Sequence, residues 1–568
     1  MAGSILTPAT LWEKFNINNV PEAELIEEKT EKGITVSKVY IDGQLTKSGR
    51  VKIFATVTRK SDLSVMPAVV IANGLKCDCQ KYSKMANMLA KNGYMVLSID
   101  VGGRFEGKEL FTIYPEDISY ADYENARGRL AEVKTTAKET CWYEWGKVLR
   151  YALAYLKNQS SISKIGVIGI KSSSTLIWQL AATEPYLACA VSVMGAGWSV
   201  CKGIPKFSDK LEPQFSDETL KYVAGIEAQS YAKNVLCPML ALVATNNDSY
   251  DCDRVQDTLA RINGDIYRAS NYSTNFVTGI GEAGIDDTLL FLDRFLKGNE
   301  SIKLPSEPQI KSEIVDKKIV VTITADSKEL KEVHLFASEG EKNSYLRSWK
   351  KLSGGEVKAG GNNTVLTYVY QPVENSDIAC FFAKAEYENG FNICSSVVAN
   401  RFKVGDVLPK RKSGILYSGR EEFAESVFCP YEFAIPRENE YFLDSKEKAV
   451  TVSSGPMGID GVSAESGLFT FRVNSSGINL SNDSILMLDV YSKEKGELKI
   501  TLFADYFGEK TEFFVTVPLC GGRVWQNVKV DIARFKTAEG RPIKFAERLN
   551  ALNICADGKY LINNVLWL

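Results

Sequence analysis

The chain has 568 residues, more than one hydrophobic core usually supports, so two to four domains are expected. Its 68 basic and 70 acidic side chains nearly cancel, giving a formal charge of −2 with 45% apolar and 24% charged residues. That balance excludes the clustered basic surface with which proteins grip nucleic acid.

Other exclusions follow from the same reading. Residues 1–15 hold no basic stretch followed by an apolar one, and no segment offers eighteen uncharged apolar residues in a row. A soluble, unexported, cytoplasmic protein without membrane partners is the expectation. Twelve cysteines are spread without a short-loop framework, as suits free thiols in a reducing compartment. The whole chain contains a single histidine, His334.

In chain order, Val51-Lys-Ile-Phe-Ala-Thr-Val57, Ala68-Val-Val-Ile-Ala72 and Tyr94-Met-Val-Leu-Ser-Ile-Asp100 read as strands, the latter two uniformly apolar as in a buried sheet. Lys81 to Asn92 and Cys141 to Leu156 carry apolar residues at helical spacing. Then follow a strand Lys164 to Ile170, a helix to about Ala182, and a strand Ala188 to Met194. After a further helix come a strand Met239 to Ala244 and helices at Arg254 to Arg261 and Asp287 to Leu296. Strands alternating with helices at this spacing predict an α/β domain with a mostly parallel sheet, over residues 1–303.

Beyond the linker Leu304-Pro-Ser-Glu-Pro308 the apolar period changes to two. Ile319 to Thr324, Val333 to Phe336, Val365 to Tyr370, Ile378 to Tyr387 and Phe391 to Val398 are predicted strands, and Asn389-Gly390 is a hairpin signal. An immunoglobulin-like β-sandwich over 304–408 is expected. After the basic stretch Pro409-Lys-Arg-Lys412, strands are predicted at Leu468 to Val473, Ile485 to Tyr491, Leu498 to Phe503, Phe513 to Val517, Trp525 to Ile532 and Tyr560 to Trp567. A second antiparallel sandwich, a jelly roll over 411–568, fits them.

Serine hydrolases of α/β type place the nucleophile on a sharp strand-to-helix turn with sequence Gly-x-Ser-x-Gly. Here the turn reads Gly169-Ile-Lys-Ser-Ser-Ser174, and the register with glycine two residues before the nucleophile puts Lys171 in that position. Shifting to Ser172 or Ser173 loses the small residue.

The first 300 residues resemble the dienelactone hydrolase and acetyl xylan esterase group of α/β-hydrolases. The resemblance rests on Leu11-Trp-Glu-Lys-Phe15, Ser98-Ile-Asp-Val-Gly-Gly-Arg104, Trp142-Tyr-Glu-Trp145, Lys164-Ile-Gly-Val-Ile-Gly169, Ala190-Val-Ser-Val-Met-Gly-Ala-Gly-Trp198 and Phe291-Leu-Asp-Arg-Phe-Leu-Lys-Gly298. It implies an ester-cleaving fold with a Ser-His-Asp triad, from which this chain departs. Ala72-Asn-Gly-Leu-Lys-Cys-Asp-Cys79 replaces the loop that helps build the oxyanion hole. Ser270-Asn-Tyr-Ser-Thr-Asn-Phe276, with Thr274 inside it, replaces the histidine region. The acid survives as Asp248 in Ala244-Thr-Asn-Asn-Asp248. A triad needs an imidazole to take and return the serine proton, and no other side chain has an unperturbed pKa suited to that duty.

Each candidate has two readings. Lys171 is a desolvated nucleophile, base or anchor for an acidic ligand, or a lysine tolerated by a decayed elbow and paired with a carboxylate such as Asp248. Ser172, Ser173 and Ser174 read as helix-capping residues more readily than as nucleophiles. Cys77 and Cys79 are a thiol pair on the former oxyanion loop, or incidental buried thiols; Cys-x-Cys alone nominates no metal, and no cofactor is expected. Asn73, Gly74, Leu75 and Cys77, with Tyr120, Trp142 and Trp198, are candidate cleft-binding residues; Tyr114 and Tyr123 belong to the same segments, where aromatics stack on sugars or fill the core. His334 reads as a surface histidine in the middle sandwich.

In the last block Val524 to Val530 and Tyr560 to Trp567 resemble the final strands of galactose-binding-like modules, although Asn563 stands where such modules often carry an acid, and Trp525 and Trp567 serve equally as core. The expected function is a catalytically degenerate hydrolase whose cleft binds a small-molecule or carbohydrate ligand or acts as a scaffold. The alternatives are an unconventional ester or lactone hydrolase using Lys171 or a nearby serine or cysteine with Asp248, and a purely structural interaction protein.

Overall fold

The computed structural model describes residues 4–61, 65–208, 214–372, 376–403, 405–408, 414–420, 423–436, 449–473, 478, 480–544 and 548–568. The basic stretch 409–412 lies outside them. Among the described residues no helix is long and apolar enough to cross a membrane.

The N-terminal block is one nine-stranded sheet. Its strands are β1 (Ala23–Glu31), β2 (Ile34–Leu45), β3 (Arg50–Lys60), β4 (Met66–Ala72), β5 (Met95–Ile99), β6 (Ile162–Ile170), β7 (Leu187–Val193), β8 (Met239–Ala244) and β9 (Arg268–Ser273). They lie in the order β1-β2-β3-β5-β4-β6-β7-β8-β9. β1, β2, β3 and β5 join by antiparallel pairs, and from β5 through β9 every pairing is parallel. β4, β5 and β8 are almost wholly buried, as their unbroken apolar runs require of strands covered on both faces.

Helices Ser83–Lys91, Cys141–Lys157, Ser172–Thr183, Cys252–Leu259 and Gly281–Phe295 cover the sheet. The second starts at Thr140, whose side chain accepts from the Tyr143 N–H, and buries Trp142, Trp145, Leu149 and Leu153.

Three strands of this sheet, β1, β2 and β9, escape sequence reading. β1 is exposed at nearly every position and carries charges on both faces, so nothing alternates. β2 does alternate, but Thr35 and Ser37 share its buried face with Val39 and Ile41, which hides the pattern.

The middle block is two antiparallel sheets. One contains Gln309–Val315, Lys318–Asp326, Asn363–Tyr370 and Glu356–Gly360; the other is built on Leu330–Glu339 and Ile378–Tyr387. The turn at Asn389-Gly390 forms as expected, but the strand predicted over 391–398 is split into Asn392–Cys394 and Val398–Arg401. Ser395, between them, exchanges hydrogen bonds of 2.8 Å with Ala383 through its backbone and its hydroxyl.

The last block packs a six-stranded sheet, which includes Ile485–Ser492 and Tyr560–Trp567, on a five-stranded one built on Gly496–Ala504 and Leu549–Ala556. All its pairings are antiparallel.

The register positions the site. Ala72 pairs Gly169, Ile170 pairs Val193, Val193 pairs Leu242 and Ala244 pairs Ser273. The loops after β4, β6, β7, β8 and β9 therefore leave one carboxyl edge, where open parallel sheets bind ligands.

Candidate functional site

Between β6 and the helix Ser172–Thr183 the chain turns at Lys171, with φ 53° and ψ −120°. A lysine there is strained, because that region favours glycine. The surroundings enforce the turn: the Lys171 N–H donates to the Val193 carbonyl at 2.8 Å, and the Ser174 N–H donates to the Lys171 carbonyl at 2.9 Å. Two glycines make the close approach possible. A Cβ on Gly169 would meet Ile177 Cγ1 at 2.2 Å, and one on Gly195 would meet the Lys171 carbonyl at 2.7 Å. The turn between β6 and the helix is thus sharp and closely packed, with Lys171 at its apex.

The three serines that follow do not replace it. Ser173 is buried and donates to the Asn73 carbonyl. The buried Ser174 hydroxyl reaches the Gly169 and Val193 carbonyls at 2.8 and 2.9 Å. Neither acts as the helix-capping side chain expected of it. Ser172, half-buried, has its hydroxyl 3.1 Å from that of Tyr250. Burial pushes the Tyr250 phenol up to about 12, outweighing the hydrogen bond with Ser172, and so removes it as a base near neutral pH.

The loop after β4 is held from several sides. Asn73 Nδ2 donates to Cys79 Sγ at 3.1 Å, and the Gly74 N–H points to the Tyr82 hydroxyl at 3.4 Å. Tyr82 in turn donates to Cys77 Sγ at 3.5 Å. Lys108, buried, donates to the Leu75 carbonyl at 3.1 Å and pairs with Asp100 at 2.5 Å. Burial pushes the Cys79 thiol well above its ordinary value, aided by the Asp100 charge, so this cysteine stays protonated. Asn73, Gly74, Leu75 and Cys77 are all buried, and the first two spend polar groups on the loop itself. The buried ion pair Asp100–Lys108 carried no signal in the sequence.

Asp248 sits on the loop after β8. Its carboxylate pairs with Lys202 at 3.0 Å and accepts from the Ser249 hydroxyl at 3.2 Å. The sequence singled out neither Lys202 nor Tyr250, although Tyr250 lies two residues beyond Asp248.

The loop after β9 makes contacts with the C-terminal blocks. Thr274 is half-buried, and beyond it Asn275, at φ 63°, donates through Nδ2 to the carbonyls of Trp349 and Ser426 at 2.8 and 3.0 Å. Its Oδ1 accepts from the Trp349 N–H at 2.8 Å. Phe276 stacks on Phe433 with centroids 4.3 Å apart, and the N–H groups of Val277 and Thr278 donate to the Phe433 carbonyl at 2.9 and 3.0 Å. Both C-terminal blocks are thereby fastened onto the loop after β9. His334 is in the middle sandwich, 2.7 Å from Glu332 and edge-on to Phe423. Burial, with the Lys351 charge, lowers its pKa.

The aromatic candidates separate. Trp142 and Tyr114 are core: the Trp142 indole donates to the Leu130 carbonyl at 2.8 Å and the Tyr114 phenol to the Val101 carbonyl at 2.7 Å. Tyr120 is exposed, with its hydroxyl 3.3 Å from Glu144, and Tyr123 packs edge-on against Phe105. Trp142, offered by the sequence as a cleft residue, is buried beside Trp145 and Tyr222. Trp198, half-buried between Arg254 and Arg261, lines a small cavity beside Asp248. Trp567 is core in the last block, and Trp525 donates to the Pro456 carbonyl at 3.2 Å; Asn563 donates to the Asp460 carbonyl at 2.6 Å.

Among the described residues Asp251, Cys252 and Asp253 place ligand atoms within 4.8 Å of one another. A buried guanidinium, Arg347, pairs with Asp253 at 2.5 Å, and burial together with the Asp253 charge pushes the Cys252 thiol well up.

Residues 54–266 match the profile of the Dienelactone hydrolase family. No curated protein matches the chain. Among solved structures it is similar to acetyl xylan esterase 1 from Thermoanaerobacterium sp. JW/SL YS485, at 14% identity over 48% of this chain and 89% of that one, TM-score 0.34. It is also similar to the acetyl xylan esterase from Paenibacillus sp. R4, at 14% over 47% and 84%, TM-score 0.34. A cold-adapted esterase from an Arctic intertidal metagenomic library aligns at 12% over 48% and 97%, TM-score 0.34. From the family match and the strand order of the sheet, the N-terminal block is an α/β-hydrolase domain of the dienelactone hydrolase type.

Proposed function

We propose that this chain is a catalytically degenerate α/β-hydrolase, a binding protein for a small-molecule or carbohydrate ligand that does not cleave esters through the elbow. The observation that carries the reading is the elbow itself, with Lys171 held in the strained turn of the nucleophile and no imidazole to serve a neighbouring hydroxyl. Two further features support it. Ser173 and Ser174 give their protons to backbone carbonyls, and the neighbour of Ser172 is a phenol pushed up to about 12. The histidine loop is committed to contacts with both C-terminal blocks.

The test is labelling of the full chain with a fluorophosphonate, alongside turnover of short-chain aryl esters. The expected result is no labelled serine and no turnover above the uncatalysed rate. Stoichiometric labelling of Ser172, Ser173 or Ser174 overturns the reading.

A further inference from the structure

A groove of about 590 Å³ opens where the three blocks meet. Lys202 and Asp248, from the loops after β7 and β8, form its hydrolase side. Tyr345 comes from the middle block, and Asp505, Phe507 and Arg548 come from the last. The smaller cavity beside it shares Lys202, Asp248 and Tyr345. The volume lies within the range of small-molecule sites, which form preferentially between domains and at the carboxyl edge of open parallel sheets.

We propose that this junction groove is the ligand site, and that its ligand is a neutral polyhydroxylated one, an oligosaccharide segment. The proposal rests on the binding reading given above and adds the place and the ligand class.

The chemistry of the lining selects that class. Phe507 is half-buried, stacked on Phe471 at 5.8 Å and edge-on to Tyr345 and Tyr506 at 5.2 and 5.3 Å, so its ring is held in place before any ligand arrives. Aromatic rings offer an apolar face to the C–H face of a pyranose while polar neighbours take the hydroxyls. The turn that presents Phe507 is rigid. Asp505 is held at φ 47°, its carboxylate accepts the Glu509 N–H at 2.7 Å, and a Cβ on Gly508 would meet Asp505 Oδ2 at 2.2 Å.

The charges around the groove are mixed. Lys202 is paired with Asp248 at 3.0 Å and Arg548 with Glu341 at 2.6 Å, while Asp505 and Glu509 add negative charge. An anionic ligand would meet no net positive field there. Carboxylates that accept, and ammonium and guanidinium groups that donate, instead match a ligand whose hydroxyls do both.

Isothermal titration of the full chain with xylohexaose, cellohexaose and mannohexaose, and with hexagalacturonate as the anionic comparator, tests the proposal. At least one neutral hexaose should bind, and Phe507→Leu, which keeps apolar bulk but removes the ring, should weaken it about threefold to tenfold. Lys202→Ala, at an exposed side chain, should weaken the same ligand without lowering Tm. Three results overturn the proposal: no binding by any neutral hexaose, tighter binding of hexagalacturonate, or unchanged affinity in both variants. Loss of binding in Lys171→Ala with Phe507→Leu unaffected also overturns it, by moving the ligand to the elbow, while leaving the non-hydrolytic reading intact. Ester turnover would defeat that reading and leave the titration result standing.

Discussion

Replacing Arg347 with methionine tests how the middle sandwich is locked to the hydrolase sheet. The side chains of Arg347 and Asp253 are fully buried, with Nη1 and Oδ1 2.5 Å apart. The guanidinium also donates to the Glu341 and Lys342 carbonyls, each at 3.1 Å. Burial works against its charge, but the Asp253 carboxylate more than offsets this and raises its pKa. Among the described residues Asp253 Oδ2 has no hydrogen-bond partner, so removing Arg347 leaves this buried carboxylate without its salt-bridge partner. Beside it stands Asp251, already pushed up to about 6 by burial and by the Asp253 charge.

Breaking a buried pair from one side costs about 3–5 kcal/mol. For a domain of this size that lowers Tm by roughly 6–20 °C. Scanning calorimetry at pH 7 should show that drop for Arg347→Met. The double variant Arg347→Met/Asp253→Leu should recover most of it, because apolar replacement of both partners is often neutral. A single variant within about 1 kcal/mol of the parent refutes the argument, as does a double variant no better than the single.

Other expectations follow from the same geometry. Burial pushes Asp287 up to about 7, against donation from the Asn392 N–H at 2.8 Å. A raised carboxyl contributes stability that is complete below its ordinary pKa and lost as pH rises through about 7. Denaturation between pH 5 and pH 8 should therefore show a decline of at most about 3 kcal/mol that Asp287→Asn flattens. An unchanged slope in that variant would contradict this assignment. Lys171→Gly should raise stability by roughly 1 kcal/mol by releasing the elbow strain, whereas Gly169→Ala should cost about 1–3 kcal/mol through the clash with Ile177, both read by urea titration. In native protein a thiol reagent should label the exposed Cys520 quickly and the buried Cys77 and Cys79 only on unfolding. Fast loss of either buried thiol would show that the loop after β4 is open.

Much of the fold was legible because it depends on local pattern. The unbroken apolar runs of β4 and β8 and the helical stripe of Cys141–Lys157 appear nearly where periodicity puts them. β1 and β2 were not legible, since one is solvated on both faces and the other buries threonine and serine. The aromatic candidates fared differently, because Trp142 and Tyr120 differ in exposure by tertiary packing that composition does not encode.

The sequence by itself determined which residues stand where, because that is a matter of identity: a lysine in the turn Gly169–Ser174, and one histidine, far along the chain in a strand-like run. Only the tertiary structure decided what the loops at the carboxyl edge touch. Asn275 meets Trp349 and Ser426, 74 and 151 residues away, and the junction groove draws its lining from three blocks. Contacts across such separations leave no trace in local periodicity, since they join residues that are neighbours in space and not in sequence.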